Sequence, residues 1–250
     1  MVCFFKSRQL SLAPEKCEQM VISKQNVNFD LSLENLPLRK SDLVKDLGIS
    51  ISNELKWGQH VNNLRNKGFQ KSYHILKTFH TKNIWTLLKA FKVFVRPVLE
   101  YGSTVWNPYL KRDIQAIESV QRNFTKTICL RCNVPFQSYE DRLNKLNLHS
   151  LQYRRLEYDL IMLFKIIHKF VDVPFDNLFT FYVSPYNTRR HELCLKPTPY
   201  KSKVAQNFFS NRVIPTWNKL PSELVTLTYL PLFCRKLKMF NLCQFIDLEM

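Results

Sequence analysis

Glycine is scarce in this chain, with 4 in 250 residues. That scarcity argues against a glycine-rich phosphate loop and against a sandwich built on tight turns. No G-x-x-x-x-G-K or G-x-G-x-x-G pattern occurs. Long apolar runs are missing too: the most apolar late stretch, Leu160–Ile167, contains Lys165 and is far too short to span a bilayer. No secretory signal is legible, because Met1–Phe5 is too short for an apolar signal core. The 7 cysteines are odd in number. Without a signal, reduced thiols and an intracellular setting, nuclear or cytoplasmic, are expected. Carboxylates are the minority charge, and no two aspartates are adjacent anywhere.

What is present is basic charge on an apolar framework. Hydrophobic residues make up 45% of the chain, enough for a real core and against global disorder. The net charge is +17, from 37 basic and 20 acidic residues. Residues 1–60 hold 8 basic and 7 acidic residues, 61–170 hold 19 and 7, and 171–250 hold 10 and 6. The excess is therefore +1, +12 and +4, and the middle segment carries most of it. Charge concentrated in this way suits a polyanion such as nucleic acid.

Periodicity changes along the chain. Short extended pieces come first. Cys17–Ser23 alternates weakly, Phe29, Leu31 and Leu33 alternate, and Leu36–Leu38 makes another piece. Val44–Ser52 reads as one strand with Leu47, Ile49 and Ile51 on one face. Small antiparallel β elements are predicted here.

From Val61 the period becomes helical, with Val61, Leu64, Gly68, Ser72, Ile75 and Phe79 on one face and Lys67, Lys71 and His74 on the other. A second helix is predicted over about 83–101. Its apolar face is Ile84, Leu88, Phe91, Val95 and Leu99, with Lys89, Lys92 and Arg96 on a different face. Pro97 is predicted to kink or end it near Arg96.

A third helix over about 110–130 turns Ile114, Ile117, Val120, Phe124 and Ile128 inward, with Arg122 and Lys126 outside at i, i+4. A short helix over 139–146 follows. A longer, largely apolar one over 151–170, with Arg154 and Arg155 in its first turns, is predicted to be central and to be broken by Pro174. Residues 171–207 read as an extended connector that includes NTRRH, Asn187–His191. A last unit places Phe208, Phe209, Val213, Ile214 and Trp217 in an aromatic cluster, lets Pro221 open a short helix, and ends on Phe233, Leu237 and Phe240.

Several of these stretches carry a family resemblance. VRPVLEYGSTVWNP at Val95–Pro108 resembles the block that follows the palm in reverse transcriptases of non-LTR (jockey-like, LINE-type) retrotransposons. Leu10–Ser23, Asp46–Val61, Ile117–Ile128, Ser138–His168 and Phe208–Val225 resemble its flanking blocks, in order, over about residues 10 to 240. The resemblance implies a palm remnant with primer-grip-like hairpins over 1–60, where Leu47, Gly48, Ile49, Leu55, Trp57 and His60 match. It implies a basic thumb over 61–170, and a connector and C-terminal extension over 171–250.

It also implies what is missing. Polymerisation needs two divalent metals held by carboxylates. The family takes these from an early palm aspartate and an aromatic-x-Asp-Asp hairpin, and block by block this chain begins after that hairpin. The expectation is therefore a truncated reverse-transcriptase-like protein without catalytic residues of its own.

The fold expected is α+β, mostly α, with a small N-terminal antiparallel β part, a helical bundle and a small C-terminal helical unit. The expected function is binding of RNA/DNA template–primer duplex through Lys67, Lys71, Lys89, Lys92, Arg96, Arg122 and Lys126. The alternative is a non-enzymatic interaction protein with a basic helical domain. Cys129-Leu-Arg-Cys132 has C-x-x-C spacing, but zinc needs two more ligands, and His149, His191 and Cys194 stand at no suitable spacing. Structural cysteines and no resident metal or other cofactor are expected; divalent metal belongs to the full-length family enzyme.

Overall fold

Leu47 and Gly48 both take positive φ, 45° and 88°, and the chain reverses between them. A two-residue primed hairpin turn needs positive φ at both central residues. The segment predicted as one strand is thus two, β5 (Leu43–Asp46) and β6 (Ile49–Ser52), paired antiparallel with Asp46 opposite Ile49. Leu47 leaves the apolar face it was assigned to and stands at the tip, 80% exposed, while Ile49 is buried.

The computed structural model describes residues 8, 13–22, 30–33, 35–182 and 191–246. Cys3, Ser23, Phe29, Arg189 and Arg190 lie outside the described residues. The chain divides into two compact units, Met1–His60 and Val61–Met250. The fold is α+β and mostly α, with a small N-terminal β region followed by a helical bundle.

In the first unit β1 (Glu18–Gln19) pairs with β4 (Arg39–Lys40), and β2 (Ser32–Leu33) pairs with β3 (Leu36–Pro37). The β1–β4 pair is parallel, whereas the other two pairs are antiparallel as expected. Buried Gln19 links the two small sheets, its side-chain oxygen accepting the Leu31 N–H at 2.9 Å. His60 is also buried, and its Nδ1 accepts the Ser50 N–H of the hairpin at 3.2 Å.

Helix α1 (Gly58–Thr78) buries Val61, Leu64, Gly68, Ser72 and Ile75. Phe79 lies past its end and is exposed. Arg131 donates to the Leu76 and Phe79 carbonyls at 2.9 Å each, so a later side chain caps this helix. Asn83 caps α2 (Ile84–Ala90), its side chain accepting from the Trp85 and Thr86 N–H groups.

Pro97 does not stop this helix. The chain widens into a π turn over Phe91–Val95, in which the Arg96 N–H reaches the Phe91 carbonyl, and continues as α3 (Arg96–Glu100). Proline has no N–H and its ring collides with the carbonyl four residues back. A π turn just before it accommodates both defects without ending the helix.

After Gly102 (φ 64°) comes the short α4 (Ser103–Trp106). Trp106 is fully buried, and its indole N–H donates to the Tyr101 carbonyl at 2.6 Å. The longer α5 (Lys111–Arg131) buries Ile117, Val120, Phe124 and Ile128, with Phe124 stacked on Phe91 at 4.7 Å. Two helices with serine N-caps follow, α6 (Tyr139–Lys145) and α7 (Leu151–Ile167).

Three helix ends share one device. Asn133, Asn147 and Lys169 take φ of 55°, 47° and 56°, and the residue after each bonds back to a carbonyl five residues earlier. These are Schellman caps, which usually take glycine. The Lys169 cap ends α7 at Ile167, well before Pro174, so the expected proline break is a cap instead.

Buried Leu160, Leu163, Phe164 and Ile166 of α7 share a core with Leu195, Val213, Ile214, Trp217, Phe233 and Leu237. Phe209 belongs to that cluster, whereas Phe208 is exposed. Pro221 is the N-cap of the Ser222–Val225 helix, and Leu230–Met239 is the last helix. Among the described residues no helix is long and apolar enough to cross a membrane.

Candidate nucleic-acid interface

The carboxylates of 61–170 are largely withdrawn from the surface. Glu100, Asp113, Glu118, Glu157 and Asp159 are buried, which leaves Glu140 exposed and Asp141 half-buried. Of the cations in that segment only Arg142 and Arg155 are buried. Burial is selective by sign because the buried acids serve as fasteners between helices.

Glu118 on α5 accepts from the Tyr139 hydroxyl of α6 and from the Leu151 N–H at the start of α7, the latter at 2.9 Å. Burial raises its pKa against those bonds. Asp159 on α7 receives a bidentate pair from Arg212, with Nε–Oδ2 and Nη2–Oδ1 both 2.8 Å. Glu100 on α3 is held by Arg154 of α7 and accepts from the Tyr158 hydroxyl at 2.9 Å.

Arg155 sits amid this network, 1% exposed. Its Nε donates to the Asn107 side chain at 3.0 Å, and its two terminal nitrogens have no hydrogen-bond partner. Burial pushes its pKa down to about 10 against the pull of Glu118 and Asp159. The sequence places Arg154 and Arg155 in the first turns of a largely apolar helix; in the structure Arg154 pairs with Glu100, while Arg155 is buried within the field of Glu118 and Asp159. The spacing i, i+4 from Arg155 to Asp159, in an otherwise apolar helix, was the available signal.

The predicted phosphate contacts divide into groups. Lys67 and Lys71 are exposed on α1, Lys89 on α2, and Arg122 and Lys126 on α5. Arg122 lies over the Tyr139 ring at 5.0 Å. Lys92 and Arg96, predicted to share a face with Lys89, are half-buried instead. Arg96 Nε stands 3.8 Å from Glu100 Oε1, so it is already ion-paired.

Lys92 and Arg96 line a cleft of about 470 Å³ on α7, together with Glu100, Tyr101, Tyr158 and Lys165. Tyr101, Tyr158 and Lys165 were not singled out as ligand contacts from the sequence. Of the primer-grip-like residues, Leu47 and Gly48 form the hairpin tip, Trp57 is half-buried and His60 anchors the hairpin. Cys129 is buried and Cys132 half-buried, with both thiol pKa values raised, burial being the main cause. No group of three or more His, Cys, Asp or Glu among the described residues is arranged to hold a metal.

No protein-family model matches the chain, and no solved structure matches it. An uncharacterized protein of Caenorhabditis elegans is 34% identical over 113 residues, which is 45% of this chain and 57% of that relative. The match thus spans little more than half of the relative's length.

Proposed function

We propose that residues 61–170 bind nucleic acid through backbone phosphates, as the thumb of a reverse-transcriptase-like protein from a mobile element. One observation carries this proposal: buried carboxylates and exposed cations give this segment a surface more basic than its composition. Such a surface attracts phosphates without reading sequence. The blocks that resemble non-LTR reverse transcriptases set the partner as template–primer duplex. The chain holds no adjacent aspartate pair of the kind that polymerisation by this family requires, so binding rather than synthesis is assigned to it.

A salt titration tests this on RNA–DNA hybrid and on duplex DNA. Each phosphate contact contributes about −0.9 to the log–log slope of affinity against salt. Lys67→Ala with Lys71→Ala, and separately Arg122→Ala with Lys126→Ala, spare the buried faces of α1 and α5. A pair that touches phosphate is expected to make the slope shallower by about 1.8 and to weaken binding to every duplex similarly. Failure of the wild type to bind either duplex at low salt refutes the proposal. So would unchanged affinity and slope in both double variants, and then a non-enzymatic role with an acidic protein partner takes its place.

A further inference from the structure

We propose that the cleft between α3 and α7 holds one unpaired nucleotide, its phosphate against Lys92, Arg96 and Lys165 and its base on the ring of Tyr101. This rests on the nucleic-acid proposal above and narrows it to a ligand and a place.

The cations in the cleft outnumber what the protein offers them. Glu100 is the one carboxylate among the lining residues. It is already engaged by Arg154, Arg96 and the Tyr158 hydroxyl. Lys92 and Lys165 have no ion-pair partner among the described residues. Burial, then the charges of Arg96 and Arg154, hold the Lys92 ammonium below its ordinary value. Like charges gathered at a concave site repel until an anion enters, and a phosphate accepts hydrogen bonds from several donors at once.

Shape and ring chemistry select the rest of the ligand. A volume of about 470 Å³ lies within the ~300–1,000 Å³ of small-molecule pockets, so it suits a single nucleotide. Tyr101 lines the same cleft with 58% of its surface exposed, an open aromatic face beside the cations. Its backbone is pinned by the Trp106 indole, so the ring is presented from a fixed point. An aromatic face next to a basic groove is the arrangement by which proteins hold single strands, one base per ring. A base paired in a duplex has no free face to stack there.

The test uses the full chain with a ten-nucleotide oligothymidylate and a duplex DNA of the same length. Lys92→Ala with Lys165→Ala removes the uncommitted cations and leaves the Arg154–Glu100 pair intact. Tyr101→Ala removes the ring and keeps the backbone carbonyl that Trp106 uses. Thermal unfolding confirms that each variant is folded.

Each variant is expected to weaken single-strand binding about tenfold, the scale of one lost stack or of two lost phosphate contacts, and duplex binding less than about threefold. Wild-type binding with unchanged single-strand affinity in both variants overturns the cleft and leaves the proposed function standing. Equal weakening toward single strand and duplex also overturns it, because the cations then act as general surface charge. A wild type that binds neither probe overturns the proposed function and this inference with it.

Discussion

Arg154 and Glu100, 54 residues apart, meet through two guanidinium nitrogens, with Nη2 3.0 Å from Oε2. The pair joins α7 to the end of α3, and its Glu100 lines the cleft. Tyr158 adds a hydroxyl to the same carboxylate, and although burial lowers the Arg154 pKa, its hydrogen bond to Glu100 and the nearby negative charge outweigh that and leave it raised. The acid that would oppose an anionic ligand is thereby neutralised from within.

Removing one partner of a buried pair strands the other. Breaking such a pair costs about 3–5 kcal/mol, and Arg154→Ala is expected at the low end, about 3 kcal/mol, because Tyr158 still donates to Glu100. For a unit of this length the melting temperature should fall by about 6–12 °C. Glu100→Gln combined with Arg154→Met should recover part of the loss. A fall in melting temperature too small to measure for Arg154→Ala would show that Glu100 reaches water once its partner is gone.

The helices were legible because apolar residues recur at their period: Leu88, Phe91, Val95 and Leu99 are buried as their spacing predicts. Register and ends were less so. Leu47 followed the alternation of a strand, yet the adjacent Gly48 made a turn available and the turn prevailed. Pro97 carries a strong local signal for a break, but a π turn absorbed it, and Phe91 at the start of that turn packs on Phe124, far along the chain. The cleft was illegible for the same reason. Lys92 and Lys165 are 73 positions apart, and only tertiary packing brings them to one wall.

Lys169 offers a local test of the helix caps. It occupies the left-handed position that ends α7, and a side chain there costs roughly 1–2 kcal/mol that glycine avoids. Lys169→Gly is expected to raise stability by about 1 kcal/mol, a gain of about 2–4 °C in melting temperature. Lys169→Val should lower it, since β-branching suits positive φ least. A Gly variant less stable than the wild type would mean that the lysine side chain contributes more than the backbone strain costs.

Acid should weaken the fold through its histidines. Burial lowers the pKa of both His168 and His191 from 6.5, and His168 Nε2 has no hydrogen-bond partner. A group whose folded pKa is depressed binds fewer protons when folded. Its contribution is present above about 6.5 and is lost as the pH falls through the lowered folded value. The raised pKa values of Glu118 and Asp159 act with the opposite sign, over a window that runs upward from carboxylate values, so the histidine part is read from the difference between wild type and a His168 variant. The melting temperature is therefore expected to drop between pH 7.5 and pH 5.5, roughly the span around a histidine's ordinary pKa. His168→Leu should make that drop smaller. An identical pH profile in the variant rules His168 out as a contributor.

Gly68 lies at a close approach between helices. A Cβ built there would lie 2.8 Å from Leu99 Cδ2 and 3.0 Å from Val120 Cγ1. Helix α1 thus meets α3 and α5 at a point with no room for a side chain. Two effects compete at this position. Alanine gains about 1 kcal/mol of helix propensity over glycine, but it must push the Leu99 and Val120 methyls aside. Valine adds two more methyls and no comparable gain, so overpacking should win, at about 2 kcal/mol. Gly68→Val is therefore expected to lower the melting temperature by about 4–8 °C. If the cause is this contact, trimming Leu99 should relieve it. The cost of Gly68→Val should then shrink in a Leu99→Ala background, with a coupling of about 1 kcal/mol or more between the two sites. Strict additivity of the two substitutions would place the strain elsewhere and leave Gly68 without a role in the packing of α1.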